Sequence, residues 1–202
     1  MVGNLTAEVL HNVMEYDPDL IISPVHQKTP EMDNQIFLGA KAYFLKKLYA
    51  HRFPVPPGFI LTTELFRHRK AIIHHSELQK EVHLRFRQEI DKIEELTGKR
   101  LGDPAVPLLL SIRAGAPLSM PGAMNTFLNV GMNDEVAEGM SSRPKMGWTT
   151  WDCYRRLLQG VGMAKGISRD EFDRIINLFK ERHKVAHKIQ FSVAHMQEIT
   201  HC

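Results

Sequence analysis

Two short stretches of this sequence set a cationic side chain among residues small enough to let a ligand approach the backbone. In Leu38-Gly39-Ala40-Lys41-Ala42 a lysine stands at the expected start of a helix. Free backbone N–H groups there favour anions, and the ammonium of Lys41 can reach a phosphate. The same pattern also suits tight helix packing with Lys41 in solvent. In the second stretch, Ser111 to Thr126, an arginine at an expected strand end is followed by a loop containing Gly115, Pro117, Pro121 and Gly122. Arg113 offers a planar fork of donors that matches phosphate oxygens, and Ser119 and Thr126 offer hydroxyls. An exposed arginine beside a purely structural loop is the alternative reading of these residues.

The elements that must position these groups follow from periodicity and punctuation. Thr6 to Tyr16 suits a short helix stopped by Asp17-Pro18, and the run through Ser23-Pro24 and Thr29-Pro30 reads as an irregular lead-in. Leu38, Tyr43, Phe44, Leu45 and Leu48 give an apolar stripe to a helix opening near Gly39, after which Phe53 to Gly58 forces extended backbone and a turn. Phe59 to Leu61 is a strand candidate. Thr62 or Thr63, with Glu64, caps a helix through Ile73. Ser76 with Gln79 forms a capping box ahead of Leu78, Val82, Phe86, Ile90, Ile93 and Leu96, and Gly98 ends that helix. Leu108 to Ile112 suits a buried strand. Beyond Gly122 the readable periodicity is helical, with Thr149 or Thr150 opening one helix and Ser168 with Glu171 opening another.

Composition narrows the class of protein. With 202 residues, 43% hydrophobic and 24% charged, the chain can bury a core and suits one or two compact units. The net charge of +3 arises from bases interleaved with acids, which favours phosphate-bearing small molecules over nucleic acid. Two cysteines, Cys153 and Cys202, make neither a disulfide framework nor a zinc set, so a reducing cytoplasm is the default expectation. No run of about 18 apolar residues and no basic start followed by an apolar stretch is present, so no membrane association is expected.

The motifs then become specific together. Ser111-Ile112-Arg113-Ala114-Gly115-Ala116, Ser119-Met120-Pro121-Gly122, Asn125-Thr126 and Leu128 to Val136 closely resemble the long signature of pyruvate phosphate dikinases. So do Phe53 to Glu64 and the Asp152-Cys153-Tyr154-Arg155-Arg156 segment, in order along the chain from about Gly39 to Lys188. The Ser-Met-Pro-Gly loop argues against the sister phosphoenolpyruvate synthases.

The resemblance implies an α+β fold, the first lobe of an ATP-grasp nucleotide-binding domain with a mixed α/β part and a following helical subdomain. Its expected layout is a lead-in with a short helix over 1–38, a mixed α/β subdomain over 39–122 and a mainly helical one over 123–202. It also implies ATP as ligand, with Lys41 and Arg113 gripping one triphosphate, Gly122 in the loop that closes over it, and Ser119 and Thr126 beside it. Magnesium ligands, the second lobe, the domain with a phosphate-carrying histidine and the pyruvate-binding domain are all expected outside this chain. Catalytic residues and metal ligands are therefore expected elsewhere, and the chain reads as part of a larger dikinase, inactive alone.

Departures from the family pattern motivate a second reading. The family's Gly-Gly-Lys-Gly is here Gly39-Ala40-Lys41-Ala42, its serine is Ala114 and its aspartate is Asn125. Fewer glycines restrict a phosphate loop, and a hydroxyl and a carboxylate are lost. A non-catalytic nucleotide-sensing or interaction module of a larger regulatory protein fits those changes, and a related dikinase with another acceptor is a third option. Among the histidines, His183 and His187 stand at helical spacing, as in zinc sites, but no third ligand is evident and a solvated face is the expectation. Thr200-His201 lacks the Gly-Gly that precedes the family's carrier histidine. The methionines from Met120 to Met163 are expected to fill core.

Overall fold

The computed structural model describes residues 16–114 and 126–202. The described residues group into two units, 16–97 in the first and 98–114 with 126–202 in the second.

The first unit finds order in the stretch expected to be irregular. After a 3-10 turn at Pro18–Leu20, strand β1 (Ile22–Pro24) pairs antiparallel with β2 (Phe59–Leu61), with Ile22 opposite Leu61 and Pro24 opposite Phe59. The overlooked signal was alternation, since Ile21, Ser23 and Val25 are buried and share one face. Helix α1 (Gln35–Leu38) is capped by Asn34, whose side chain accepts from the Ile36 and Phe37 amides. Helix α2 (Ala40–Ala50) opens where expected, because Gly39 takes φ 73° and ψ 158°, a conformation open to glycine. Helices α3 (Thr63–Arg67), α4 (Arg69–His74) and α5 (Ser76–Thr97) follow.

Two expected caps in this unit are used otherwise. The Thr62 hydroxyl donates to the Leu20 carbonyl at 2.6 Å, tying β2 to the lead-in instead of capping α3. The Gln79 amide donates to the Ile73 carbonyl at 2.7 Å, reaching back into α4. Gly98 follows α5 with φ 65°, the left-handed conformation expected at a helix end. Val25, Met32, Leu38 and Ile60 form one buried cluster, and Ile21, Ile72 and Val82 another.

The second unit contains a strand pair. Strand β3 (Leu110–Arg113) lies antiparallel to β4 (Thr126–Val130), a strand that the helical periodicity read beyond Gly122 does not reveal. The pairing shifts register between Leu110 and Ile112, and Asn129 sits opposite that shift with φ 59°. This is a β-bulge with asparagine in the left-handed conformation it tolerates best after glycine. Strand β3 is also less buried than expected: Leu108, just ahead of it, is buried, but Ile112 is 53% exposed.

Helices complete this unit. Helix α6 (Asp134–Ser141) is capped by Asn133, which accepts from the Val136 amide at 2.8 Å. Helix α7 (Gly147–Ala164) begins before Thr149 and Thr150, which lie in its first turn and are not its caps. Ser168 caps α8 (Arg169–Arg182) as expected, accepting from the Glu171 amide at 3.4 Å. After a 3-10 turn at Lys188–Gln190, α9 (Val193–Thr200) closes the described chain. Met132, Val136, Trp151, Phe179, Phe191, Met196 and Ile199 are buried together, each large side chain contributing about 1.5–3 kcal/mol. Met132 thus fills core and Met140 packs against it, whereas Met146 and Met163 are more exposed and Met120 and Met124 lie outside the described residues.

Candidate functional site

Strand β3 presents Arg113 at its end, beside the start of β4. Arg113 is the cross-strand partner of Thr126, so the two side chains rise from the same face of the pair. Ser111 shares that face two residues earlier, and the Arg113 Nε donates to its hydroxyl at a long 3.5 Å. All three are exposed. On the other face Phe127 rests against Gly160 of α7, with its ring carbon 3.6 Å from where a Cβ would stand. The helix therefore supports the strand pair from behind and leaves a guanidinium and two hydroxyls facing outward. That set can receive an anion: the fork donates two parallel hydrogen bonds and the hydroxyls adapt to either role.

The other expected site residues are placed separately. Lys41 is the second residue of α2, exposed, within the first turn whose backbone N–H groups a helix start leaves free. It belongs to the first unit, and Arg113 and Thr126 to the second. Ser119 and Gly122 lie outside the described residues.

One polar cluster escaped the reading of the sequence. Lys46 of α2 is 7% exposed, and its ammonium donates to the Ser23 hydroxyl at 2.7 Å and the Thr29 hydroxyl at 2.8 Å, and pairs with Asp33. Thr29 in turn donates to Asp33 from its amide at 2.9 Å and its hydroxyl at 2.7 Å. Burial works to raise the Asp33 carboxyl, but the hydrogen bonds from Lys46 and Thr29 outweigh it and hold it below the usual carboxylate range. No pattern of neighbours marks a lysine as buried, because its partners come from 13 to 23 residues away.

A second buried carboxylate lies in α7. Asp152, 5% exposed, accepts from Arg155 at 3.0 and 3.1 Å, from Arg156 at 2.9 Å and from Lys188 at 2.7 Å. Burial pushes its carboxyl up, and the Lys188 hydrogen bond together with the charge and hydrogen bonds of Arg155 more than reverse this, leaving it below the ordinary range.

Among the described residues the histidines are placed apart from the zinc-type spacing considered above. Helix α8 ends at Arg182, so His183 caps it and His187 lies beyond, and the expected shared helical face does not form. His183 is instead half-buried and stacks on His195, with ring centroids 3.8 Å apart. Among the described residues no three His, Cys, Asp or Glu side chains gather as a metal set. His201 contacts Asp134 at 3.2 Å and sits edge-on to Trp151. Among the described residues no helix is long and apolar enough to cross a membrane.

Comparison with known proteins adds the lineage. No protein-family model matches the chain. The chain is 38% identical over 149 residues to the pyruvate, phosphate dikinase of Rickettsia bellii, covering 73% of this chain and 16% of that protein. It is 32% identical over 163 residues to that of Clostridium symbiosum, and equally to the chloroplastic one of Mesembryanthemum crystallinum, in each case over 80% of this chain. It spans 16–18% of the length of these relatives. A contiguous match over 80% of 202 residues includes Arg113 and Thr126 wherever it begins. The chain thus belongs with the pyruvate, phosphate dikinases, as a counterpart of their N-terminal portion.

Proposed function

We propose that this chain is the ATP-holding front portion of a dikinase, the first lobe of an ATP-grasp domain. The observation that carries the proposal is the exposed face at the end of β3, where Arg113, Ser111 and Thr126 come together. Arg113 grips phosphate oxygens through two N–H groups, Thr126 and Ser111 complete their hydrogen bonding, and Lys41 supplies an ammonium at the start of α2. Ser119 and Gly122 serve the same phosphates. ATP brings the transferable phosphoryl group; the residues of this chain bind and orient it.

Magnesium accompanies the nucleotide phosphates in this reading. Its ligands belong to the remaining nucleotide-binding lobe of the parent protein. There the nucleotide would phosphorylate a carrier histidine on a companion domain, on the way from pyruvate to phosphoenolpyruvate, in the cytoplasm. Phosphoryl transfer depends on positioning and on neutralising charge around the moving group, so this chain alone binds without turning over.

Calorimetric titration with ATP tests the proposal. Arg113→Ala should abolish measurable binding, and Arg113→Lys should not restore it, because a single ammonium cannot replace a planar fork. Equal affinity in the wild-type and Arg113→Ala proteins refutes the assignment.

A further inference from the structure

Lys41 lies between a glycine junction and an anchor. Gly39, at φ 73° and ψ 158°, is the single residue joining α1 to α2, in a conformation that glycine adopts without strain. Within α2 the one buried residue is Lys46, while Phe44, Leu48 and Tyr49 are each more than 40% exposed. Ala42, Tyr43 and Leu45 pack against the buried Val25, Met32, Leu38 and Ile60 and Tyr49 stacks on His26, and to these contacts Lys46 adds the directional one that fixes the rotation of the helix about its axis. The three protons of the ammonium meet Ser23, Thr29 and Asp33, one each. Ser23 is fully buried in β1 and its hydroxyl lies 2.8 Å from that of Thr29, so the acceptors are themselves held.

We propose that Lys46 is a positioning residue for nucleotide phosphates, acting through Lys41. The two lysines are five residues apart, about 140° around the helix and about 7.5 Å along it. Seating Lys46 inward therefore turns Lys41 outward. A methionine at position 46 would fill the same space, but an apolar side chain has no directional demand and lets the helix turn about its axis. The ammonium of Lys41 then loses its fixed place, and displacements of about 1 Å are enough to weaken a charge-assisted contact severalfold. This inference rests on the phosphate reading of Lys41 given above.

The test is a double-mutant cycle on ATP affinity in the full chain, with amide hydrogen exchange alongside. Lys46→Met should weaken ATP by about fivefold to tenfold, and in a Lys41→Ala background it should cost nothing further. Exchange at the amides of Tyr43 to Leu45 should quicken in Lys46→Met. A full additive loss in the Lys41→Ala background, or wild-type affinity in Lys46→Met, overturns the proposal and leaves Lys46 with a structural role alone. Absence of ATP binding in the wild-type chain defeats the phosphate reading itself, and unchanged exchange at those amides separately defeats the anchor. If Lys46→Met does not fold, Asp33→Asn removes the charge partner at constant shape and is read by the same measurements.

Discussion

Replacing Asp152 probes what holds the second unit together. Its carboxylate is buried in α7 and receives Arg155, Arg156 and Lys188, the last from the 3-10 turn after α8, 36 residues along the chain. Arg156 is 65% exposed and contributes little, as surface ion pairs do. Arg155 and Lys188 are largely covered, so Asp152→Ala strands two cations in a poorly solvated place. Breaking such a buried cluster from one side costs about 3–5 kcal/mol, and Asp152→Asn, which keeps one acceptor, should cost about half of that. Both tryptophans of the chain, Trp148 and Trp151, lie in α7, so intrinsic fluorescence reports this unit in urea. At a slope of about 2 kcal/mol/M, Asp152→Ala should lower the midpoint by about 1.5–2.5 M.

Acid supplies the sign. The folded Asp152 carboxyl lies below its unfolded value, so its contribution is fully present above about pH 4 and is lost as pH falls through the folded value. The wild-type protein should therefore lose more stability than Asp152→Asn on acidification below about pH 4. A midpoint shift under about 0.5 M for Asp152→Ala, or parallel acid curves for the two proteins, would refute the cluster's role.

Other substitutions test local geometry in the same unit. Gly131→Ala places a Cβ 2.6 Å from the Leu108 carbonyl oxygen at a residue with φ 111°, and should destabilise by about 2–5 kcal/mol in urea unfolding. Asn133→Ala removes the cap that accepts from the Val136 amide and should cost about 1 kcal/mol, whereas Asn133→Asp should retain most of the stability by the same assay.

Much of the local structure was legible because its causes are local. Gly39 opens α2, Phe59 to Leu61 forms β2, Gly98 follows α5 and Ser168 caps α8, each from signals within a few residues. Expectations failed where a side chain had two candidate partners. Thr62 and Gln79 had the chemistry of caps, but the Leu20 and Ile73 carbonyls lay within reach once the chain had folded. Strand β1 escaped because its buried alternation of Ile21, Ser23 and Val25 includes a polar residue, and its partner stands 35 to 39 residues further on.

By itself the sequence determined the kinship with the dikinases and the residue types able to hold phosphate, because both are carried by order and identity along the chain. Only the tertiary structure decided that Thr126 stands across from Arg113, that Lys46 is buried on Ser23, Thr29 and Asp33, and that Asp152 collects three cations. A lysine or an aspartate is soluble almost anywhere in an unfolded chain. Whether it can lose its water depends on partners brought from distant segments, and spacing within one helix does not encode that arrangement.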